Sequence, residues 1–203
     1  MASLADRLAG SGGYAADLDL TEGLEPGEVL AGVELEGCRL DQCVLEKAVL
    51  RDCRFVDCLF TGCNLTMADL TGSQLTDCRF VDCKALAVAW GRADEAPLAT
   101  RPWDFERCRL DLGSFRDAVA VSARFVDCSL REVDLGGADL RRAVLTGCDL
   151  DGATFAATDL REASLVGSSG YLLDPHENRV RGLRVDTHGA SGVLRALGLV
   201  VED

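Results

Sequence analysis

A repeat of five residues constrains this chain more than any other feature of its sequence. Every position divisible by five from Leu30 to Phe80 is Leu or Phe, and the pattern resumes at Phe105 and holds through Leu165, with Ala120 as the one small exception. All seven phenylalanines lie at these centre positions. Small or β-branched residues recur two positions before the centres, and all ten cysteines occupy that second slot. The pattern therefore requires a backbone that places two residues of every five in the protein interior.

Neither an α-helix nor a straight strand meets this requirement. Five residues advance roughly 140° around an α-helix, so the apolar positions would spiral over every face. On a straight strand, the pair from one pentad would point opposite to the pair from the next. All pairs share one interior only if the chain turns once per pentad, which closes it into stacked coils around an axial core. Six cysteine pairs are separated by 20 residues, which favours four pentads per coil.

Two stretches of the sequence resemble the pentapeptide repeat family. "CNLTMADLTGSQLTDC" and "EVDLGGADLRRAVLTGCDLDGATFAATDLREASL" are similar to its A-D/N-L-x-x unit, and the resemblance extends over roughly residues 30 to 185. It implies an all-β fold, a right-handed quadrilateral parallel β-helix, with a short helix at the C-terminal end. We expect residues 1–27 to form an N-terminal cap or flexible segment, 28–187 the β-helix, and 188–203 the C-terminal helix and dimerisation tail.

The repeat is interrupted between Cys83 and Phe105. Glu95 and Thr100 cannot act as core centres, and two prolines with Gly91 mark an excursion. We expect a projecting loop near 91–101, with about ten residues looped out so that Cys78 lies one coil from Cys108. Such a loop is either a tolerated surface insertion or an element that grips a partner.

The C-terminal stretch "ASGVLRALGLVVED" predicts a short helix with an apolar face. A helix this short needs a packing partner, and the open end of a solenoid needs a cap. The resemblance points to homodimers formed through this end, and an intramolecular cap is the alternative. The candidate dimer residues are Val193, Leu194, Leu197, Leu199 and Val200.

Residues with reactive side chains do not form a recognisable chemical site in the sequence. No C-x-x-C spacing occurs, and stacked inward-pointing cysteines suit buried free thiols rather than disulfides or zinc. The two histidines, His176 and His188, fall in no catalytic or metal-binding motif. We therefore expect no catalysis, no metal and no cofactor.

The formal net charge of −13 disfavours direct binding to nucleic acid or to membrane surfaces. It suits a partner surface that is basic because it normally holds DNA. Between residues 31 and 165 the bias is moderate, with 23 acids and 16 bases. The chain lacks a signal-like start and an apolar run of membrane-spanning length, so we expect a cytoplasmic protein.

Outward-facing charges and the loop supply the candidate contacts with a partner. These are Asp57, Asp77, Asp139, Asp159, Arg92, Asp94 and Glu95. Asp57 and Asp77 should lie one coil apart, as should Asp139 and Asp159.

The resemblance also implies a function. Stand-alone members with a C-terminal dimer helix include quinolone-resistance and gyrase-poison immunity proteins, which are similar to DNA in shape and charge. We accordingly expect binding to DNA gyrase or topoisomerase IV and protection from fluoroquinolones or other topoisomerase poisons. The alternative is a structural or scaffolding repeat protein without a topoisomerase partner.

Overall fold

Short parallel strands dominate the computed structural model, which describes residues 4–9, 12–93 and 103–202. The strands are β1 Tyr14–Ala16, β2 Asp19–Leu20, β3 Val29–Ala31, β4 Glu34–Glu36, β5 Arg39–Asp41, β6 Val49–Arg51, β7 Arg54–Val56, β8 Leu59–Thr61, β9 Gln74–Thr76, β10 Cys78–Val81, β11 Trp103–Glu106, β12 Arg124–Val126 and β13 Val144–Thr146. Two helices, α1 Leu4–Ala9 and α2 Thr187–Ala196, lie near the two ends, and a 3₁₀ turn spans Trp90–Arg92. No helix within the described ranges is long and apolar enough to cross a lipid bilayer.

The strands stack into parallel sheets that run along a four-sided solenoid. Seven strands form the longest sheet, in the order β13-β12-β11-β10-β8-β5-β2, and four form a second, β1-β4-β7-β9. Partners lie 20 residues apart, as in the pairing of Phe60 with Phe80, so four pentads make one coil. Isolated bridges such as Ser164 to Arg184 continue the same register towards the C-terminus. The predicted parallel β-helix with a short C-terminal helix is confirmed.

The centre residues and the second-slot residues fill one continuous core. Phe60, Phe80, Phe105 and Phe125 form a column of near-parallel rings, with successive centroids 4.6, 4.8 and 5.2 Å apart. Trp90 packs edge-on against Phe105 at 5.0 Å. Stacked rings at this spacing match the distance between neighbouring strands, about 4.8 Å. The backbone ladder and the side-chain column therefore reinforce each other.

The second slot supplies hydrogen-bond donors as well as small volume. The buried Cys58 thiol donates to the carbonyl of Leu35, with a sulfur–oxygen distance of 3.3 Å. Ser73 takes the same position and its hydroxyl donates to Leu50 O at 2.7 Å. All ten cysteines are free and buried. A cysteine thiol thus acts here as a weak hydrogen-bond donor within an apolar core. The small size of the side chain in this slot did not by itself predict that role.

The interruption inserts five residues into one coil, not ten. Phe80 pairs with Phe105 and Lys84 bridges to Arg109, so the spacing across the interruption is 25 residues. Cys83, rather than Cys78, therefore lies one coil below Cys108. The expected ten-residue excursion is wrong because Ala85 and Trp90 remain buried core centres. Only one irregular pentad is added, and the solenoid continues across it.

The N-terminal end enters the coil earlier than the sequence suggested. Strand β1 pairs with β4 and β2 pairs with β5, so regular stacking starts at Tyr14 instead of near residue 28. Leu4 and Leu8 of α1 are buried and belong to the core cluster. The short helix α1 thereby covers apolar residues of the first coil.

Candidate functional site

Asp57 and Asp77 lie at corners of the solenoid, where the backbone is left-handed. Their φ angles are 50° and 53°, and the corner two residues after each centre repeats this conformation along the chain. Asp tolerates such angles better than most non-glycine residues because its short polar side chain can bond locally. Part of the excess of aspartate in the sequence is therefore explained by the backbone conformation of the corners.

Four of the predicted contact residues fall on one side of the solenoid. We call this the charged side, and it consists of the outward-pointing side chains of the pentads centred on Ala15, Leu35, Phe55, Leu75, Ala120, Leu140, Leu160 and Val180. Each of these pentads immediately precedes a pentad of the longest stack, which runs without a break from β2 through β13 and on to Arg184. Asp57, Asp77, Asp139 and Asp159 accordingly share this side, and the interruption lies between the two pairs in the sequence.

The N-terminal half of the charged side is strongly acidic. Its outward positions carry five acids, Asp17, Glu34, Glu36, Asp57 and Asp77, against the single base Arg54. Arg54 approaches Glu34 at 3.3 Å, and the Tyr14 hydroxyl donates to Glu36 at 3.1 Å. This hydrogen bond and the negative charge of Glu36 raise the pKa of Tyr14. Even without Asp77, four acids stand against one arginine at these positions, so this half carries net negative charge.

In the C-terminal half, Asp139 and Asp159 are neutralised by arginines two residues further along. Arg141 and Arg161 each donate through Nε and Nη2 to these carboxylates, with Nη2–oxygen distances of 2.6 Å. The hydrogen bond from Arg161 lowers the pKa of Asp159 to about 2. These two carboxylates therefore bind neighbouring side chains and do not present bare negative charge. The sequence shows Asp and Arg here but not that each Asp folds back onto its own pentad.

Of the three candidate contact residues in the loop, the structure describes one. Arg92 is exposed at the end of the 3₁₀ turn, and its carbonyl accepts a hydrogen bond from Gly72 N at 3.1 Å. Asp94 and Glu95 lie outside the described residues. Arg92 thus belongs to the last turn that the structure describes before the interruption.

The candidate dimer residues separate into one inward and four outward side chains. Val193 packs against the core, whereas Leu194, Leu197, Leu199 and Val200 are exposed. Helix α2 begins at a capping residue, Asp186, whose carboxylate accepts from Gly189 N at 2.7 Å. This bond and a second one from Gly167 N lower the pKa of Asp186. An apolar surface is therefore held in a fixed position at the C-terminal end.

Metal-binding geometry is absent from the described residues, in which no group of three or more His, Cys, Asp or Glu side chains could hold an ion. The cysteine columns are the densest accumulation of potential ligands. Their thiols already donate to backbone carbonyls, and burial raises the pKa of Cys53. A buried thiol whose pKa is raised, as at Cys53, is a poor thiolate ligand and a poor nucleophile.

A comparison with protein families agrees with this architecture. The model of the pentapeptide repeats matches residues 29–66, 53–84 and 138–169, with eight copies of the repeat. These residues therefore carry pentapeptide repeats, as the sequence pattern predicts.

Two solved structures show the same fold. Two structures of trypsin-treated variants of QnrB1, a plasmid-mediated fluoroquinolone resistance protein, are similar, with TM-scores of 0.69 and 0.61. Each is 17% identical and covers 93% of this chain and 97% of its own. HetL, which is involved in heterocyst differentiation regulation in the cyanobacterium Nostoc sp. strain PCC 7120, is 20% identical, with a TM-score of 0.49 and coverage of 88% and 90%. No curated protein sequence matches the chain.

Proposed function

We propose that this protein binds DNA gyrase or topoisomerase IV and protects the enzyme from fluoroquinolones or other topoisomerase poisons. It acts in the cytoplasm by binding rather than by catalysis, and it needs no cofactor. The fold it shares with QnrB1 makes this target class the first one to test.

The observation that carries the proposal is the acidic N-terminal half of the charged side. Exposed carboxylates recur there at the coil spacing of about 4.8 Å on stacked parallel strands. A topoisomerase surface that holds DNA is rich in Lys and Arg, and such a surface attracts a fixed array of negative charges. The array therefore supplies the charge complementarity that DNA mimicry requires.

Two further elements complete the proposal. The interruption of the repeat, with Arg92, Asp94 and Glu95, is a second candidate contact. At the other end, Leu194 and its exposed apolar neighbours pair two chains into a homodimer, which doubles the length of the rod. A dimer would cover apolar side chains that otherwise face water.

The test removes the negative charge without disturbing the turn. Asp57→Asn and Asp77→Asn together delete two charges, and Asn tolerates the same left-handed corner. The matched control is the pair Asp52→Asn and Asp127→Asn, at corners of nearly equal φ on other sides of the solenoid. Supercoiling and cleavage by purified gyrase are measured with and without a fluoroquinolone.

We expect the unmodified protein to restore supercoiling in the presence of the drug, or to inhibit it in the absence of the drug. The Asp57/Asp77 pair should weaken this effect, and the control pair should not. Equal loss in both pairs would contradict a role for the charged side. No effect of the unmodified protein at micromolar concentration, with no binding in a pull-down, would favour the scaffolding alternative.

A further inference from the structure

Arginines accumulate on the C-terminal half of the charged side. Arg141, Arg161 and Arg181 occupy the same position in three successive coils, and Arg142 and Arg179 lie beside them; we call these five residues the arginine ladder. The register is fixed by backbone hydrogen bonds, from Arg142 N to Arg161 O and from Glu162 N to Arg181 O, both 3.0 Å long. Three guanidinium groups thus start from points about 4.8 Å apart.

Two rungs of the ladder are held in place by carboxylates. Nε of both Arg141 and Arg161 lies 2.8 Å from the Oδ1 atom of the aspartate two residues earlier. Each guanidinium uses Nε and Nη2 for this contact, so within the described residues Nη1 has no hydrogen-bond acceptor. Because the pairing fixes the guanidinium planes, little side-chain entropy remains to be lost when an anion binds.

The remaining arginines leave the patch positive. Arg142 and Arg181 are exposed, and neither guanidinium has an acidic partner in the part of the chain that the structure describes. Five arginines stand against three carboxylates, Asp139, Asp159 and Glu162. The patch is therefore locally cationic in a chain whose overall charge is −13.

A shallow cavity of about 210 Å³ lies within the ladder. It is lined by Arg141, Arg142, Arg161 and Glu162. A carboxylate offers two oxygens, which a single guanidinium satisfies, whereas a tetrahedral phosphate can accept from several guanidinium groups at once. The size and donor arrangement of the cavity therefore suit a phosphate group.

The geometry points to a binding site for a small phosphate-bearing molecule at the arginine ladder. The negative charge on the rest of the chain disfavours a long polyanion such as duplex DNA, because its other phosphates would extend over acidic surface. A compact ligand stays within the local field, since screening limits interactions between exposed charges to about 8 Å at physiological salt.

The probe for this site is pyrophosphate, titrated at constant ionic strength into the full-length protein. Binding is followed by NMR on the arginine Nε–H resonances and by calorimetry. Arg142→Gln should weaken binding about tenfold, as expected for the loss of one charged hydrogen-bond donor. Glu162→Gln removes the one acid that lines the cavity and should strengthen binding. The control, Arg39→Gln, deletes an exposed arginine on another side and should leave the affinity unchanged.

The outcomes separate the possible ligands. Saturable shifts of Arg141 and Arg161 that respond to the two cavity variants support the site. If the arginine resonances do not shift up to about 10 mM pyrophosphate, the site is overturned, because even a millimolar affinity would be detected at that concentration. Binding of a short DNA duplex or of oligoglutamate through these arginines, without a response to pyrophosphate, would also overturn it. No topoisomerase enters the measurement, so its result is independent of the supercoiling test.

Discussion

The aromatic column predicts that Phe105 is the most costly of its four phenylalanines to truncate. Its ring lies 4.8 Å from Phe80, 5.0 Å from Trp90 and 5.2 Å from Phe125, measured between centroids. A Phe→Ala change in a core costs about 3 to 5 kcal/mol, and each aromatic pair adds about 0.5 to 1.5 kcal/mol beyond burial. We therefore expect Phe105→Ala to lower the free energy of unfolding by about 5 kcal/mol.

The matched control is Phe155→Ala. Phe155 is also a buried centre, but its ring contacts no other aromatic ring within the described residues. Its truncation should cost about 3 kcal/mol. Phe105→Leu retains most of the apolar volume and loses the ring pairs, so it should cost about 1 to 2 kcal/mol.

Urea denaturation followed by circular dichroism gives these differences. Tryptophan fluorescence is a second readout, because the Trp90 ring contacts Phe105 directly. A loss for Phe105→Ala that is no larger than the loss for Phe155→Ala would refute the reasoning. In that case the stacked rings would add nothing to simple burial.

Two further predictions concern the C-terminal end and the ion-paired acids. Leu194→Glu places a charge in the exposed apolar surface of α2 and should halve the mass measured by light scattering. The control is Val44→Glu, which changes an exposed valine on another side of the solenoid. An unchanged mass for Leu194→Glu would remove the proposed interface. Asp159→Asn should lower the free energy of unfolding at neutral pH by about 1 kcal/mol, less than the full pKa shift implies because its arginine partners reach into water. The folded-state pKa of Asp159 is depressed, so this contribution is present above the unfolded pKa near 3.8 and is lost as the pH falls towards 2. Urea titrations at several pH values test it, and a difference that is as large at pH 2 as at neutral pH would contradict the assignment.

The sequence predicts the core well because one rule governs it. Every Phe and Cys that the five-residue register assigns to the interior is buried, from Cys38 to Phe155. The rule follows from geometry alone, since a chain that turns once per pentad has only one inside.

The length of the interruption could not be read from the same register. A small centre such as Ala85 looks like a break in the pattern, yet it is buried and keeps the coil closed. The choice between five and ten extra residues depends on which strands pair, and strand pairing is a long-range property. Phe80 pairing with Phe105 settles it.

The charged surface was predicted only in part. Positions alone place Asp57 and Asp139 on the outside, but they do not distinguish a carboxylate at a left-handed corner from one that folds back onto an arginine. The arginine ladder carries a signal that can be read from the sequence. Arg141, Arg161 and Arg181 recur at the coil period of 20 residues.

The spacing of 20 residues between coil partners outside the interruption has a consequence for how such a gene can change. Because Phe60 and Phe80 occupy equivalent places twenty residues apart, an in-frame duplication or deletion of one coil joins a corner to an equivalent corner. Recombination within the gene can therefore alter the reach of the rod in discrete steps and leave its interior intact. The distance between the acidic half and the arginine ladder is then a heritable variable, set by repeat number rather than by individual substitutions.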